Sequence, residues 1–230
     1  MKRFWTDVTT EAVEDGWSIR LDGRPVQTPA RALLVLPTTG LADAVAGEWQ
    51  AAGADIDPRA MPLTGLANAA VDKVTPDRQA FANGLARYAE ADLACYRAEW
   101  PPELVEQQAA GWDPLLAWAR RRYDVDFATT TGLLHVAQPP ATVERLIHEV
   151  AALGPFQLSG LSPLVTIGGS LVAALAVFEK AYSAGDGWSA VSLDDRWQLE
   201  QWGSDAEAEL ALDNRRQDFL AAGQFLDLLN

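Results

Sequence analysis

The sequence predicts an α+β fold in which short strands come first and helices follow. The first 37 residues contain aromatic and β-branched runs separated by turn residues, a pattern typical of strands. From residue 38 onward, the apolar residues recur mainly at helical spacing. Strands followed by helices are characteristic of α+β proteins. We therefore predict a β-rich domain over 1–60 and a helical domain over 61–230.

Three short segments account for the predicted strands: FWTDVT, WSIRLDG and ALLVLP. Asp-Gly pairs occur at Asp15-Gly16 and Asp22-Gly23, between or directly after these segments. Because Asp-Gly favours the tight turns that join antiparallel strands, both pairs predict hairpins. Two later segments, LACYRA and FATTTGLLHV, are further candidates for extended structure.

The helices are predicted from their start signals. Thr38 or Thr39 is expected to cap a first helix that stops near Gly53, and LTGLANAAVDKV is expected to form the next. A cap residue followed by proline then predicts three further starts, at Thr75-Pro76, Asp113-Pro114 and Ser162-Pro163. Residues 142–153 predict another helix. The last start opens an apolar helix over 163–182, which is expected to lie in the core.

The charge distribution argues against several classes of partner. The formal net charge is −14, with 10 bases and 14 acids over residues 1–100 and 8 bases and 18 acids over residues 101–230. The negative electrostatic field produced by this excess of acids repels nucleic-acid phosphates and anionic lipid. No charge occurs between Glu149 and Glu179, but glycine and proline interrupt this stretch, and its uninterrupted apolar part is too short to predict a membrane span. We expect no nucleic-acid binding and no membrane insertion.

Cys95 is the only cysteine, so no internal disulfide is possible, and its apolar neighbours predict a buried, inert thiol. The first residues, MKRFWTDV, lack the apolar region of a signal peptide. We expect a bacterial cytoplasmic protein, or a mitochondrial matrix protein in its processed form.

Familiar catalytic and nucleotide-binding motifs are missing from the sequence. With one cysteine and two scattered histidines, His135 and His148, a structural zinc site has too few ligands. The sequence therefore predicts no metal, no cofactor and no catalytic residue.

The segment 192–230 combines helical periodicity with many acids and two tryptophans. Such a surface suits protein contacts, where exposed tryptophan is favoured. Two alternatives remain open at this point. Glu200 and Glu207 lie seven residues apart and would share one face of a continuous helix, so they could form a hydrolytic pair. Ser204-x-x-Glu207 also fits a capping box, in which Glu207 only caps its own helix.

Several blocks occur in an order that resembles a known chaperone family. The most specific are LDGRPVQTP, MPLTGLAN, WDPLLAWA and QWG-x-D-x-EA, and related blocks extend from about residue 3 to residue 229. Together they resemble the chaperones that assemble the F1 sector of ATP synthase by holding its unassembled α subunit. The family's fold, a small β-containing domain on a helical domain, agrees with the prediction above.

The resemblance implies a non-enzymatic function in which the chaperone covers apolar surface that the α subunit later buries. The family has a functionally important glutamate in the helix after the QWG block. Glu207 matches it best, Asp205 and Glu200 are other candidates, and Trp202 and Gly203 match the block itself. These five residues are the predicted partner-binding site. The free protein is expected to be a monomer, and the competing functions are an acidic hydrolase and a general acidic adaptor.

Overall fold

The computed structural model describes residues 2–132, 134–203 and 205–229, apart from the side chain of Trp202. The chain forms two compact units. Unit 1 contains residues 1–78, 154–160 and 224–230, and unit 2 contains residues 79–153 and 161–223. Unit 1 carries a small sheet and unit 2 is mainly helical, which confirms the α+β class.

Unit 1 is built around a four-stranded antiparallel sheet with β2 in contact with the other three strands. The strands are β1 (Val8–Val13), β2 (Gly16–Leu21), β3 (Arg24–Pro25) and β4 (Val35–Leu36). Both Asp-Gly pairs lie at the predicted turns. In the second turn Asp22 and Gly23 have φ of 48° and 78°, the left-handed geometry that fits the twist of a hairpin.

β1 begins at Val8, four residues later than the sequence predicts from Phe4. The preceding chain is held against unit 1 in another way. Trp5 is buried, and its indole N–H donates to the carbonyl of Trp49 at 3.3 Å. The N–H of Asp7 donates to the carboxylate of Asp22 at 2.9 Å, and this type of bond lowers the pKa of Asp22.

Helix α1 (Thr39–Ala51) begins where the sequence predicts. Thr38 is the cap, because its hydroxyl oxygen accepts the N–H of Leu41 at 3.2 Å. The buried face of α1 packs into the core of unit 1, which also receives Phe225 from the end of the chain. Phe225 stacks on Phe156, with ring centroids 6.3 Å apart.

Unit 1 extends beyond the boundary predicted near residue 60, because α2 (Pro62–Ala69) is bonded to α1. The carboxylate of Glu48 accepts the N–H groups of Leu63 at 2.8 Å and Thr64 at 2.7 Å. These bonds satisfy backbone donors that the start of a helix leaves free. A π-helical turn over Ala70–Val74 then continues the chain.

The remaining α-helices contain between 8 and 22 residues. They are α3 (Arg78–Ala86), α4 (Pro102–Tyr123), α5 (Pro140–Ala151), α6 (Pro155–Gly168), α7 (Leu171–Phe178), α8 (Ala184–Val191), α9 (Leu193–Trp202) and α10 (Ala206–Asp227). Both later candidates for extended structure contribute one short strand, β5 (Tyr96–Arg97) and β6 (Thr130–Thr131), which pair in parallel.

The predicted helix start at Asp113-Pro114 is wrong, because α4 begins at Pro102 and continues through Pro114. The buried side of α4 explains the continuation: Trp112 is almost fully buried, and its indole N–H donates to the carbonyl of Ala190 at 2.8 Å. Asp113 pairs with Arg97 at 2.8 Å and does not act as a cap. The start at Thr75-Pro76 is also wrong, because the chain is already helical there: a π-helical turn, a 3-10 turn over Thr75–Asp77 and α3 follow one another directly. The Thr75 hydroxyl donates to the carbonyl of Ala70 and does not cap a helix.

The predicted helix over 163–182 is also wrong. Pro163 lies inside α6, and the helical path breaks at Gly169, where φ is 66°. Ser170 then caps α7, and its hydroxyl donates to the buried carboxylate of Asp92 at 2.7 Å. Among the residues that the structure describes, no helix has the length and apolar character needed to cross a membrane.

Candidate functional site

The predicted partner site lies where α9 ends and α10 begins. Trp202 is the last residue of α9, and Gly203 follows with φ of 84° and ψ of 152°, a conformation that other residues adopt only with strain. α10 begins three residues later, at Ala206. We term residues 193–218 the α9–α10 hairpin; Ser204, within it, lies outside the described residues.

The base of the hairpin is anchored in unit 2 by its first turn. Leu193 is buried and packs closely against Gly111: a Cβ added to Gly111 would lie 3.2 Å from Cδ1 of Leu193. The carboxylate of Asp194 accepts the amide N–H of Gln108 at 2.8 Å. Arg196 donates to the carbonyl of Ser189 at 2.8 Å. These contacts fix the direction in which α9 leaves the core.

Asp205 organises the start of α10. Its side-chain oxygen accepts the N–H of Glu207 at 3.1 Å, and its carbonyl accepts the N–H of Glu209 at 2.9 Å. Asp205 thus occupies the cap position, and Glu207 is the second residue of the helix, with its side chain exposed. The predicted capping box needs Ser204, which is not described, so a role of Glu207 in that box stays a prediction.

A groove of about 340 Å³ runs between the two helices of the hairpin. Apolar side chains from both helices line it, with polar and charged groups at its edges. The lining residues are Asp195, Gln198, Leu199, Gly203, Asp205, Ala208, Ala211, Leu212 and Arg215. Asp195 and Arg215 form an ion pair of 2.7 Å across the groove, at the end away from Gly203. We term this feature the α9–α10 groove.

The free end of the hairpin is strongly acidic. Residues 197–214 include five acids and no lysine or arginine. Asp205 is bonded to the backbone, and Asp213 lies near Arg216, 3.9 Å away. Within the described part of the chain, no ion pair engages the carboxylates of Glu200, Glu207 or Glu209. An apolar groove therefore opens beside carboxylates that form no ion pair among the described residues.

The five predicted site residues meet at one connection but differ in position. Gly203 and Asp205 line the groove, whereas Glu200 and Glu207 are exposed and are not among its lining residues. Trp202 ends α9, and its side chain is not described. No structural result tests their role, so their assignment to partner binding stays a prediction.

The hydrolytic alternative receives no support from this arrangement. In the described part of the hairpin, the Glu200 and Glu207 side chains are both exposed, with no enclosing cleft around the pair. Across the described residues, no group of three or more His, Cys, Asp or Glu side chains is arranged to hold a metal ion. The two histidines are distant from the hairpin in sequence. Nδ1 of His135 is hydrogen-bonded to the hydroxyl of Tyr96, with 3.0 Å between the two atoms.

Sequence reasoning missed the groove itself. Its apolar residues Leu199 and Leu212 belong to helices that are acidic overall, and the sequence prediction rests on the acids and tryptophans of the segment rather than on these leucines. The sequence does contain a signal for the two helix faces that line the groove. Asp195 and Leu199 are spaced by one helical turn in α9, and Ala208, Leu212 and Arg215 follow one another at the same spacing in α10. These spacings mark two helix faces, but they do not reveal that the faces oppose each other.

A family comparison places the chain among known chaperones. The family model described as the ATP12 chaperone protein matches residues 2–120, slightly more than half of the chain. This chain belongs to the ATP12 chaperone family. The resemblance seen in the ordered sequence blocks is thereby confirmed.

Solved structures extend the likeness to the whole chain. The crystal structure of Atp12 from Paracoccus denitrificans is 42% identical, with a TM-score of 0.95 over 100% of this chain and 98% of that one. A lysine-for-aspartate mutant of the same bacterial protein matches equally well, at 41% identity and a TM-score of 0.95, with the same coverage. Mitochondrial protein atp12 of Schizosaccharomyces pombe is 23% identical over an alignment of 215 positions, which covers 88% of this chain and 74% of that protein.

Proposed function

We propose that this protein is an assembly chaperone that binds the unassembled α subunit of ATP synthase and promotes formation of the F1 sector. Membership of the ATP12 chaperone family is the observation that carries the proposal. The ordered blocks add support, because they resemble the chaperones that hold this subunit. The proposed location is the bacterial cytoplasm, where the α subunit would be met before assembly.

We propose the α9–α10 hairpin as the surface that binds the subunit. It is anchored at its base and exposed at its free end, where Leu210 has 61% of its surface exposed. Exposed apolar side chains beside polar ones are typical of protein-binding surfaces. Such a surface can shield a client by contact alone, so the proposed function needs no covalent chemistry.

Co-expression with the α subunit of the cognate ATP synthase tests this proposal. The expected result is a higher soluble fraction of the α subunit and a complex that co-purifies with the chaperone. The matched control is co-expression with the β subunit, which is expected to gain no solubility and to form no complex. If the α subunit stays insoluble and no complex is recovered, the proposed client is wrong.

A further inference from the structure

The α9–α10 groove has the shape of a site for a third helix. α9 and α10 are joined by only three residues, so they run antiparallel, and the Asp195–Arg215 pair joins them at the base. Two antiparallel helices leave a groove that a third helix fills in ordinary bundles. No segment of the described chain fills it here, since a void of about 340 Å³ remains between them.

The chemistry of the groove limits what could occupy it. Leu199 and Leu212, from opposite helices, provide an apolar floor, and Ala208 and Ala211 leave room above it. An apolar side chain inserted there would remove these surfaces from water, which is favourable. The groove is in the size range of sites that accept such side chains.

The charge around the groove limits the occupant further. Its open end lies at Gly203 and Asp205, within the stretch 197–214 that has five acids and no base. Glu200, Glu207 and Glu209 have no ion-pair partner among the described residues. A negatively charged segment would be repelled at this end, whereas lysine or arginine would be attracted and guided to it.

From these observations we infer that the α9–α10 groove binds an amphipathic helix of the client that carries an apolar stripe flanked by lysine or arginine. The apolar stripe packs between Leu199 and Leu212, and the basic side chains face the free glutamates of the hairpin. This recognition follows the helix-in-groove mode known for amphipathic targets. It deepens the proposed function and rests on it, because it names the kind of client segment that the hairpin recognises.

Binding of model peptides to the full-length protein tests the inference. The probe is a labelled synthetic helix of leucine and lysine of about 18 residues, or five helical turns, compared by fluorescence anisotropy with its leucine–glutamate counterpart. The lysine peptide is expected to bind at least about tenfold more tightly than the glutamate peptide. Equal binding of the two peptides would overturn the inference.

Two pairs of variants locate the binding. Ala211→Trp fills the groove and is expected to lower the affinity for the lysine peptide at least about tenfold. Asn214→Trp lies on a face of α10 that does not line the groove, and it is expected to leave this affinity unchanged. The triple change Glu200→Gln, Glu207→Gln and Glu209→Gln is expected to weaken binding by about tenfold. Its control, Glu99→Gln, Glu103→Gln and Glu106→Gln, removes the same charge elsewhere. Circular dichroism verifies that each variant folds.

Binding of the same variants to the α subunit is measured as well. The two measurements together distinguish a failure of the groove inference from a failure of the proposed function. If the α subunit binds the wild type and Ala211→Trp equally, the client assignment stands and the groove is not its site. If the lysine peptide occupies the groove but the α subunit forms no complex, the inferred chemistry stands and the client is wrong. A folded Ala211→Trp protein that binds the lysine peptide as the wild type does overturns the inference.

Discussion

Cys95 shows how burial controls the chemistry of a single side chain. The thiol is fully buried, and burial, with a smaller contribution from the negative charge of Asp92, raises the pKa of Cys95 to about 12 from 9.0. Because the folded-state pKa is raised, the thiol contributes stability below about pH 9, and this contribution is lost as the pH rises toward 12.

We predict that Cys95 in the native protein is almost inert to alkylation at pH 8. Its thiolate fraction is about a thousandfold smaller than that of an unperturbed thiol, and reagents cannot reach it. Mass spectrometry after iodoacetamide treatment measures the rate, and the urea-unfolded protein is the control. Native alkylation as fast as that of the unfolded chain would contradict the assigned burial.

At the scale of the elements, close approach between helices decides which glycines can change. A Cβ added at Gly223 in α10 would lie 2.5 Å from the Cβ of Ala184, whereas one added at Gly84 in α3 would meet nothing within 4 Å. We predict that Gly223→Ala destabilises unit 2 by about 1–3 kcal/mol through overpacking. Gly84→Ala is expected to stabilise it by about 0.5–1 kcal/mol, because alanine is the better helix former.

Urea unfolding followed by circular dichroism measures both glycine variants against the wild type. The two substitutions add the same methyl group to a helix of the same unit, so their difference isolates the contact with Ala184. A Gly223→Ala protein as stable as Gly84→Ala would show that the helices do not approach as described.

Element boundaries also show what local sequence can and cannot predict. The Thr38 cap and the Asp-Gly turns were predicted correctly, because each depends on a few neighbouring residues. The three proline-based helix starts were wrong, because a helix continues through such a signal when its apolar face is buried. In α4 that face includes Trp112, whose burial depends on α8 and cannot be read from nearby residues.

Over the whole molecule, residues distant in sequence complete unit 1. Phe225, near the end of the chain, is buried in the core of unit 1, and the carbonyl of Leu228 accepts the hydroxyl of Thr38 at 2.5 Å. The acidic character of segment 192–230 could be predicted from sequence. The return of its last residues to unit 1 and the groove between α9 and α10 could not, because both depend on which helix faces pair.

We predict that Phe225→Ala destabilises unit 1 by about 3–5 kcal/mol, since it leaves a cavity beside Phe156. Hydrogen exchange followed by mass spectrometry is the measurement, with faster exchange expected in peptides covering β1 and β2. Leu210→Ala, at an exposed position of α10, is the control and is expected to leave that exchange unchanged. Unchanged exchange in the Phe225→Ala protein would contradict the completion of unit 1 by the chain end.

The proposed function of the whole molecule depends on the acidic free end of the hairpin. Glu207 and Glu103 are both exposed, and each is the second residue of its helix, in α10 and α4 respectively. Lysine at either position places a positive charge at a helix N-terminus, which lowers the stability of the protein by about 0.3–1 kcal/mol in both variants. The two variants therefore differ only in where the charge is reversed.

The affinity of the purified α subunit for Glu207→Lys, Glu103→Lys and the wild type tests the proposed function most directly. We predict that Glu207→Lys remains folded and binds the α subunit at least about tenfold more weakly, while Glu103→Lys binds within about twofold of the wild type. A folded Glu207→Lys protein that binds the α subunit as tightly as Glu103→Lys does would contradict the assignment of the α9–α10 hairpin as the client-binding surface.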